Sequence, residues 1–288
     1  MVYLQKVIAL VESEKCVSEL EKLGQTLHKE GLEFQCFVGK HILDSRPLIN
    51  YEGSGKDKPC LWMTDNAIRA ASLKMAKEPV VAILHEDNRN KDFSGVVYAC
   101  EDPGELDADY LEKVYRRCVG LPWDIAETDR CIVRETTEAD VEEFFKIYGN
   151  PAITRYTEGL YPTMEQEKQY VRDYIEKVYG FYGYGVWTVL KKDTGEIIGR
   201  IGFSCREGYE EPELGFVIGV PWQKQGYAEE VCKVLLEYAR EELGFEEVQA
   251  FVMQGNNASI GLCERLGLHK IGTADIKDIV YDRFYKKI

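Results

Sequence analysis

Long apolar runs are missing from this 288-residue chain. No stretch approaches the roughly 20 residues that a bilayer-spanning helix needs, so no membrane partner is expected. The N-terminal Met1–Val11 segment has neither a basic leader nor a small-residue cleavage site, and it reads as a buried strand. Basic residues are the minority: 36 Lys and Arg stand against 50 Asp and Glu, for a net charge of −14. That balance argues against a nucleic-acid partner, whose phosphates demand a basic surface. It suits attraction of a cationic amine, and equally serves plain solubility. Histidines number only four and show no metal-ligand spacing, so no metal is expected. The nine cysteines, among them Cys16, Cys36, Cys60, Cys100 and Cys118, form no Cys-x-x-Cys pair. Reduced thiols in a cytoplasmic protein are the expectation. Internal repeats, low-complexity tracts and a strand-following Gly-x-Gly-x-x-Gly are also absent.

What is present is core material: 45% hydrophobic and 11% aromatic residues, over a length that suits two domains. Pro122–Arg130 interrupts the periodic pattern, which places a boundary between residues 1–127 and 128–288. No Ser/Gly-rich tether joins the two. The first unit alternates apolar strands (Val7–Val11, Cys60–Met63, Pro79–Leu84, Val96–Cys100) with helices (Glu14–Glu30, Asn66–Lys77, Asp107–Cys118). Val17, Leu20, Leu23 and Leu27 fall at helical spacing, and Gly31 stops that helix. The alternation predicts a three-layer α/β domain with a mostly parallel sheet.

Met63-Thr64-Asp65, the following helix and Pro79-Val80-Val81-Ala82 resemble the sheet-and-helix half of haloacid-dehalogenase-type folds. The nucleophile motif of that family, Asp-x-Asp-x-Thr, is missing where Val11-Glu12-Ser13-Glu14 stands. Asp65 is read as the cap of the next helix.

The second unit predicts helices at Thr137–Tyr148 and 163–180, then a run of strands. Strands Gly185–Lys191 and Glu196–Ser204 flank a hairpin turn at Lys192-Asp193-Thr194-Gly195. Strand Glu213–Val220 leads into Trp222-Gln223-Lys224-Gln225-Gly226-Tyr227-Ala228-Glu229-Glu230, which opens an amphipathic helix ending near Gly244. Strand Val248–Met253, helix Asn257–Leu266 and a final strand at 276–286 complete an α+β half with a mixed, largely antiparallel sheet. A strand, a glycine turn and a helix N-terminus together make a cradle for an anionic phosphate. Gly226 admits close approach of the backbone, and Ala228 nearly so.

The spacing Gln223-x-x-Gly226-x-Ala228 resembles the Gln/Arg-x-x-Gly-x-Gly/Ala motif of the GNAT superfamily of acyl-CoA-dependent N-acetyltransferases. Asn256-Asn257-Ala258-Ser259-Ile260, followed by Glu264-Arg265-Leu266-Gly267-Leu268, resembles a second element of that family. Ile132-Val133-Arg134-Glu135 with Ile153-Thr154-Arg155-Tyr156 resembles its ribosomal-protein N-terminal acetyltransferase branch. The resemblance covers residues 131–288. It implies acetyl-CoA as co-substrate and direct attack by a primary amine of a small molecule or peptide. It also implies that Ile218, Gly219, Val220, Gln223, Lys224, Gln225, Gly226, Tyr227, Ala228, Glu229, Asn256 and Ser259 bind the coenzyme. The main-chain N–H groups of residues 225–230 would meet its pyrophosphate. The pantetheine arm would lie along Phe216–Val220, beside a neighbouring strand that splays away. The Ile218 N–H would receive the thioester oxygen.

An amine that is protonated at neutral pH needs a base, and Glu213 is the candidate. Glu213 also reads as a surface residue beside Glu210 and Glu211. Cys263 stands where the family often has a Tyr as general acid. Its thiol, Tyr227 or solvent could protonate the leaving group, or no acid is needed. Arg155, Tyr156 and Glu158 are expected at the acceptor, with Tyr182, Tyr184 and Trp187 as aromatic walls or as core. A catalytically weak acyl-CoA sensor or scaffold, and phosphate-ester hydrolysis by residues 1–127, are the other readings. The oligomeric state and the amine are left open.

Overall fold

The computed structural model describes residues 3–39 and 58–288. Met1 and Val2, read with the first strand, lie outside the described residues. The chain divides into two compact units, Met1–Trp123 and Asp124–Ile288.

In the first unit, strands β1 (Lys6–Val11), β2 (Glu33–Val38), β3 (Cys60–Thr64), β4 (Val80–Ile83) and β5 (Tyr98–Cys100) form a wholly parallel sheet. Their order is β2-β1-β3-β4-β5. Successive side chains of β1 serve opposite faces. Val7, Ala9 and Val11 pack with Leu20, Leu23 and Leu27 of α1 (Val17–Lys29) and with Leu111 and Val114. Ile8 and Leu10 pack with Leu73. The helices α2 (Ala67–Met75) and α3 (Ala108–Cys118) thus complete three layers. Each buried leucine contributes about 1.5–3 kcal/mol. Strand β2 is half exposed, and its weak apolar pattern hid it from the sequence.

Asp65 does not cap α2. Asn66 does, accepting the Arg69 N–H at 2.8 Å. The Asp65 carboxylate turns back to β1 and accepts the N–H groups of Glu12 and Ser13, each at 2.8 Å. Cys16, Asp65 and His85 bring ligand-type atoms within 4.8 Å of one another, a grouping invisible in sequence spacing. His85 Nδ1 accepts the Asp87 N–H at 3.3 Å, and its Nε2 lies 3.5 Å from an Asp65 carboxylate oxygen without a hydrogen-bond partner. Burial pushes the Cys16 thiol up to about 11.

In the second unit, β6 (Asp124–Glu127) pairs with β7 (Cys131–Arg134), so residues 124–127 belong here and not to the first unit. The helices α4 (Val141–Tyr148), α5 (Pro151–Thr154) and α6 (Met164–Tyr174) follow. A π-turn at Ile175–Tyr179 leads into α7 (Gly180–Tyr182). Then come β8 (Val186–Lys191), β9 (Ile197–Ser204), β10 (Glu213–Ile218), α8 (Tyr227–Glu241), β11 (Glu247–Met253) and α9 (Asn257–Arg265). The chain ends in two strands, β12 (His269–Ile276) and β13 (Ile279–Lys287), where the sequence reading had one. Lys277 and Asp278 turn that hairpin with φ of 52° and 63°, without the Asn-Gly signature that marks such turns. The sheet order is β12-β13-β11-β10-β9-β8-β7-β6, and only β10–β11 is parallel. Asp140 anchors the start of α4: its buried carboxylate takes Arg134 through two bonds of 2.7 Å and the Thr188 hydroxyl at 2.8 Å.

Candidate active site

Strands β10 and β11 share a single rung, Glu213 with Gln249, and then part. Gln249 N–H donates to the Pro212 carbonyl, and the Gln249 side-chain amide holds the Glu211 carbonyl. On its other side β10 stays fully paired with β9, from Glu213↔Ser204 to Ile218↔Gly199. Gly219 N–H donates to Ile198 O, which fixes the parity of this ladder. Odd residues of β10 address β9, and Phe216 and Ile218 turn their main-chain groups to the open edge. The expected splay and the outward Ile218 N–H are therefore built into the strand.

A cavity of about 440 Å³ lies on one side of the parting. It is lined by Ile218, Gln223, Lys224, Gly226, Tyr227, Ala228 and Glu229 from the turn and α8, and by Asn256 and Ser259 at α9. Gly219, Val220 and Gln225, expected here, do not line it. Gly219 is tied to β9, Val220 faces solvent, and Gln225 donates its side chain to the Pro221 carbonyl. Gln223 is not free as a phosphate donor, because its amide nitrogen holds the Ile218 carbonyl at 2.8 Å.

The turn reaches α8 through left-handed backbone at Lys224 (φ 59°) and Gly226 (φ 86°). Gly226 is the N-cap and brings no capping side chain. The first intrahelical bond runs from Glu230 N–H to Gly226 O. The N–H groups of Tyr227, Ala228 and Glu229 precede it, so the helix offers them no acceptor. Glu230, counted by the sequence reading among the cradle donors, is thus engaged within the helix. The acidic side chains of this turn are neutralised locally: Glu230 by Arg130 at 2.6 Å, and Glu229 by Lys233 and Arg265, both at 2.8 Å. Salt-bridging and hydrogen-bonding partners hold the Glu229 carboxyl below its ordinary range. Positive helix-end potential is left to act on a ligand.

A second cavity, of about 310 Å³, lies on the other side. It shares Tyr156, Thr157, Phe216, Val217, Asn256 and Ser259 with the first, so the two meet along the parted strand. Glu213 lines it, held by Arg206 through bonds of 2.5 and 2.9 Å. Tyr156 and Glu158 line it as expected, with Glu158 ion-paired to Lys277. Arg155 lines neither cavity and lays its guanidinium 5.1 Å from the Tyr156 ring. Tyr182, Tyr184 and Trp187 are not walls: Trp187 is fully buried core, and Tyr184 packs edge-on against Phe245. Cys263 is no acid candidate. It lies fully buried beneath α9, lines neither cavity, and burial pushes its thiol up to about 12. Asn256 caps α9 by accepting the Ser259 N–H at 3.2 Å, which leaves its amide nitrogen directed elsewhere. Sequence reading missed Tyr148, Tyr170, Tyr174, Arg200, Arg206 and Tyr281, single residues on separate elements that only the fold collects.

A mixed sheet parted at a parallel pair, with an uncapped helix at the mouth, defines an acyl-coenzyme A binding fold, and comparison with known proteins agrees. The family model described as Acetyltransferase (GNAT) domain matches residues 130–269. The uncharacterized N-acetyltransferase YoaA of Bacillus subtilis (strain 168) is 31% identical over 155 residues, 51% of this chain and 84% of that protein. The uncharacterized protein YkkB of the same organism is 28% identical over 148 residues, 49% of this chain and 83% of its own length. Among solved structures, the RimL ribosomal L7/L12 alpha-N-protein acetyltransferase shares the fold, with a TM-score of 0.51 at 13% identity over 58% of this chain and 96% of that one. Its complex with coenzyme A gives 0.50 at 14% identity, over 58% and 98%. The chain belongs to the GNAT acetyltransferase family, whose co-substrate is acetyl-CoA.

Proposed function

We propose that this chain transfers an acetyl group from acetyl-CoA to a primary amine by direct attack. Residues 124–288 would do the chemistry, with the amine entering the cavity of about 310 Å³. The observation that carries the reading is the lone rung between β10 and β11, with a cavity on either side of the strand it frees. The residues present fit the coenzyme: three helix-start N–H groups lack intrahelical acceptors, and the capping residue is a left-handed glycine. Acetyl-CoA, when bound, supplies the thioester.

The N–H groups of Tyr227, Ala228 and Glu229 hold its diphosphate. The main-chain edge at Phe216, with the Ile218 N–H, aligns its amide-bearing arm, and Asn256 and Ser259 add polar side chains from α9. The Ile218 N–H faces the open edge and stabilises negative charge on the acyl oxygen. Glu213 is held rigidly by Arg206 and accepts the amine proton through water. The task is modest for an α-amine of pKa about 7.7–8.0 and harder for a lysine-type amine near 10.4. Solvent protonates the leaving thiolate.

Thiol release from acetyl-CoA, measured across a panel of amines, tests the assignment. Glu213→Gln should lower turnover roughly 10- to 100-fold without loss of coenzyme affinity. Gly226→Glu should weaken coenzyme binding in calorimetry by about 100-fold, because it puts a Cβ and a negative charge into the cradle. One observation favours a second reading: Arg206 already occupies both oxygens of Glu213, as a non-catalytic acyl-CoA sensor would permit. Tight coenzyme binding with no turnover of any amine would select it. The likeness of the N-terminal unit to haloacid-dehalogenase folds remains a reading of its residues, and we assign that unit a structural or regulatory part.

A further inference from the structure

The acceptor-side cavity contains one cation without a counter-ion. Arg200 lies on β9, opposite Val217 of β10 and Thr188 of β8. Its Nε is fully buried and has no hydrogen-bond partner. Its guanidinium sits 4.6 Å over the Phe144 ring, and Tyr148 lines the same cavity. Four other arginines of this unit have a carboxylate: Arg134 has Asp140, Arg172 has Glu138, Arg206 has Glu213 and Arg283 has Glu211. Among the described residues no carboxylate stands within ion-pair distance of Arg200. The two acids that line the cavity are taken, Glu213 by Arg206 and Glu158 by Lys277. Glu167 is buried nearby, and its carboxylate accepts the Tyr161 N–H.

The groups around the guanidinium do not neutralise it. Burial raises the phenols of Tyr148, Tyr170 and Tyr174 above their ordinary value, so at neutral pH they are uncharged. A guanidinium cannot shed its proton to escape. A buried charge left uncompensated is strongly unfavourable, and an anion received in the cavity relieves it. The floor beside Arg200 is open. In the next row Gly202 faces Gly215, and a Cβ built on Gly215 would meet nothing within 4 Å.

We propose that Arg200 binds an anionic group on the acceptor, which is therefore a compact amine carrying a carboxylate or a phosphate close to its amino group. The closeness follows from register. Arg200 pairs with Val217, the residue before Ile218, so the anion is held beside the point where the acyl group would lie. The guanidinium fork suits either anion through two parallel hydrogen bonds. A peptide N-terminus offers a neutral amide at that place.

This proposal rests on reading the cavity as the acceptor side, and one experiment separates the two. The full chain is assayed for thiol release with glycine and other α-amino acids, their carboxamides, ethanolamine, O-phosphoethanolamine and an amidated tetrapeptide. Coenzyme A binding is followed in parallel by calorimetry. Wild type should prefer an anionic amine over its neutral analogue by roughly 30-fold in kcat/KM. Whether the amino acids or O-phosphoethanolamine lead decides between carboxylate and phosphate. Arg200→Gln should remove the preference and leave coenzyme affinity within about threefold, while Arg200→Lys should restore part of the preference. The wild-type comparison stands even if a variant fails to fold. Equal turnover of anionic and neutral amines, or a better rate with the amidated peptide, overturns the proposal and leaves the acetyltransferase assignment intact. Absence of coenzyme binding overturns both.

Discussion

In the N-terminal unit, most polar groups where the strands end are consumed by the chain itself, His85 Nε2 excepted. Asp65 takes two N–H groups from the segment after β1, and the Thr64 hydroxyl reaches the Leu10 carbonyl at 2.7 Å. Asn88 ties the carbonyls of Asp65 and Ile83 while accepting the His85 N–H. In the C-terminal unit, the edge of β10, the first N–H groups of α8 and the guanidinium of Arg200 are left without such partners. Both regions are rich in polar residues beside parallel strands. The difference lies in where the unsatisfied groups stand: in the C-terminal unit Arg200, the parted edge of β10 and the start of α8 line the two cavities.

This contrast can be broken in three places. The largest effect is expected at Asp140, the self-satisfied part of the C-terminal unit. Asp140→Asn removes the charge that Arg134 needs and should cost about 3–4 kcal/mol in denaturant unfolding. Burial opposes the charge of Asp140, yet Arg134 and the threonines outweigh it and hold the folded carboxyl below the ordinary value of about 3.9. The contribution is therefore complete above that value and drains away as pH falls through the folded one. Acid titration of wild type and variant should show their stabilities converging on the acid side.

Next comes Asp65→Ala, which strands the Glu12 and Ser13 N–H groups and should cost about 3 kcal/mol. Coenzyme affinity should stay unchanged, since that network ties main-chain groups of the N-terminal unit to one another. A loss of affinity would erase the distinction between the two regions. The smallest effect is assigned to Cys263→Ala. It removes a buried sulfur for about 1 kcal/mol and should leave turnover within twofold at every pH tested, because the thiol lines neither cavity.

Much of this was legible in sequence wherever a period or a spacing carried it. The apolar stripe of α8, its glycine start and the Asn256-to-Ser259 spacing located the starts of α8 and α9 to within a few residues. Strands β2, β6 and β12 were missed because they are largely exposed and lack clean alternation. The acceptor side was largely illegible for another reason. Arg200 is a single charged residue inside an apolar strand, and only the packing of α4 and α6 around it shows that it lacks a counter-ion. The pairing of Arg206 with Glu213 joins residues seven apart across a loop, which no periodicity predicts. Cys263 misled because alignment by position says nothing about which way a helix face turns.

The solitary Glu213–Gln249 rung has a consequence for how this chain can change. Each further rung would lower the energy of the sheet and zip shut the gap between the two cavities. Substitutions that make β10 and β11 better partners are therefore gains for the fold and losses for the catalyst. Stabilisation campaigns on this scaffold belong on the antiparallel flanks, where tighter strands leave the fork untouched.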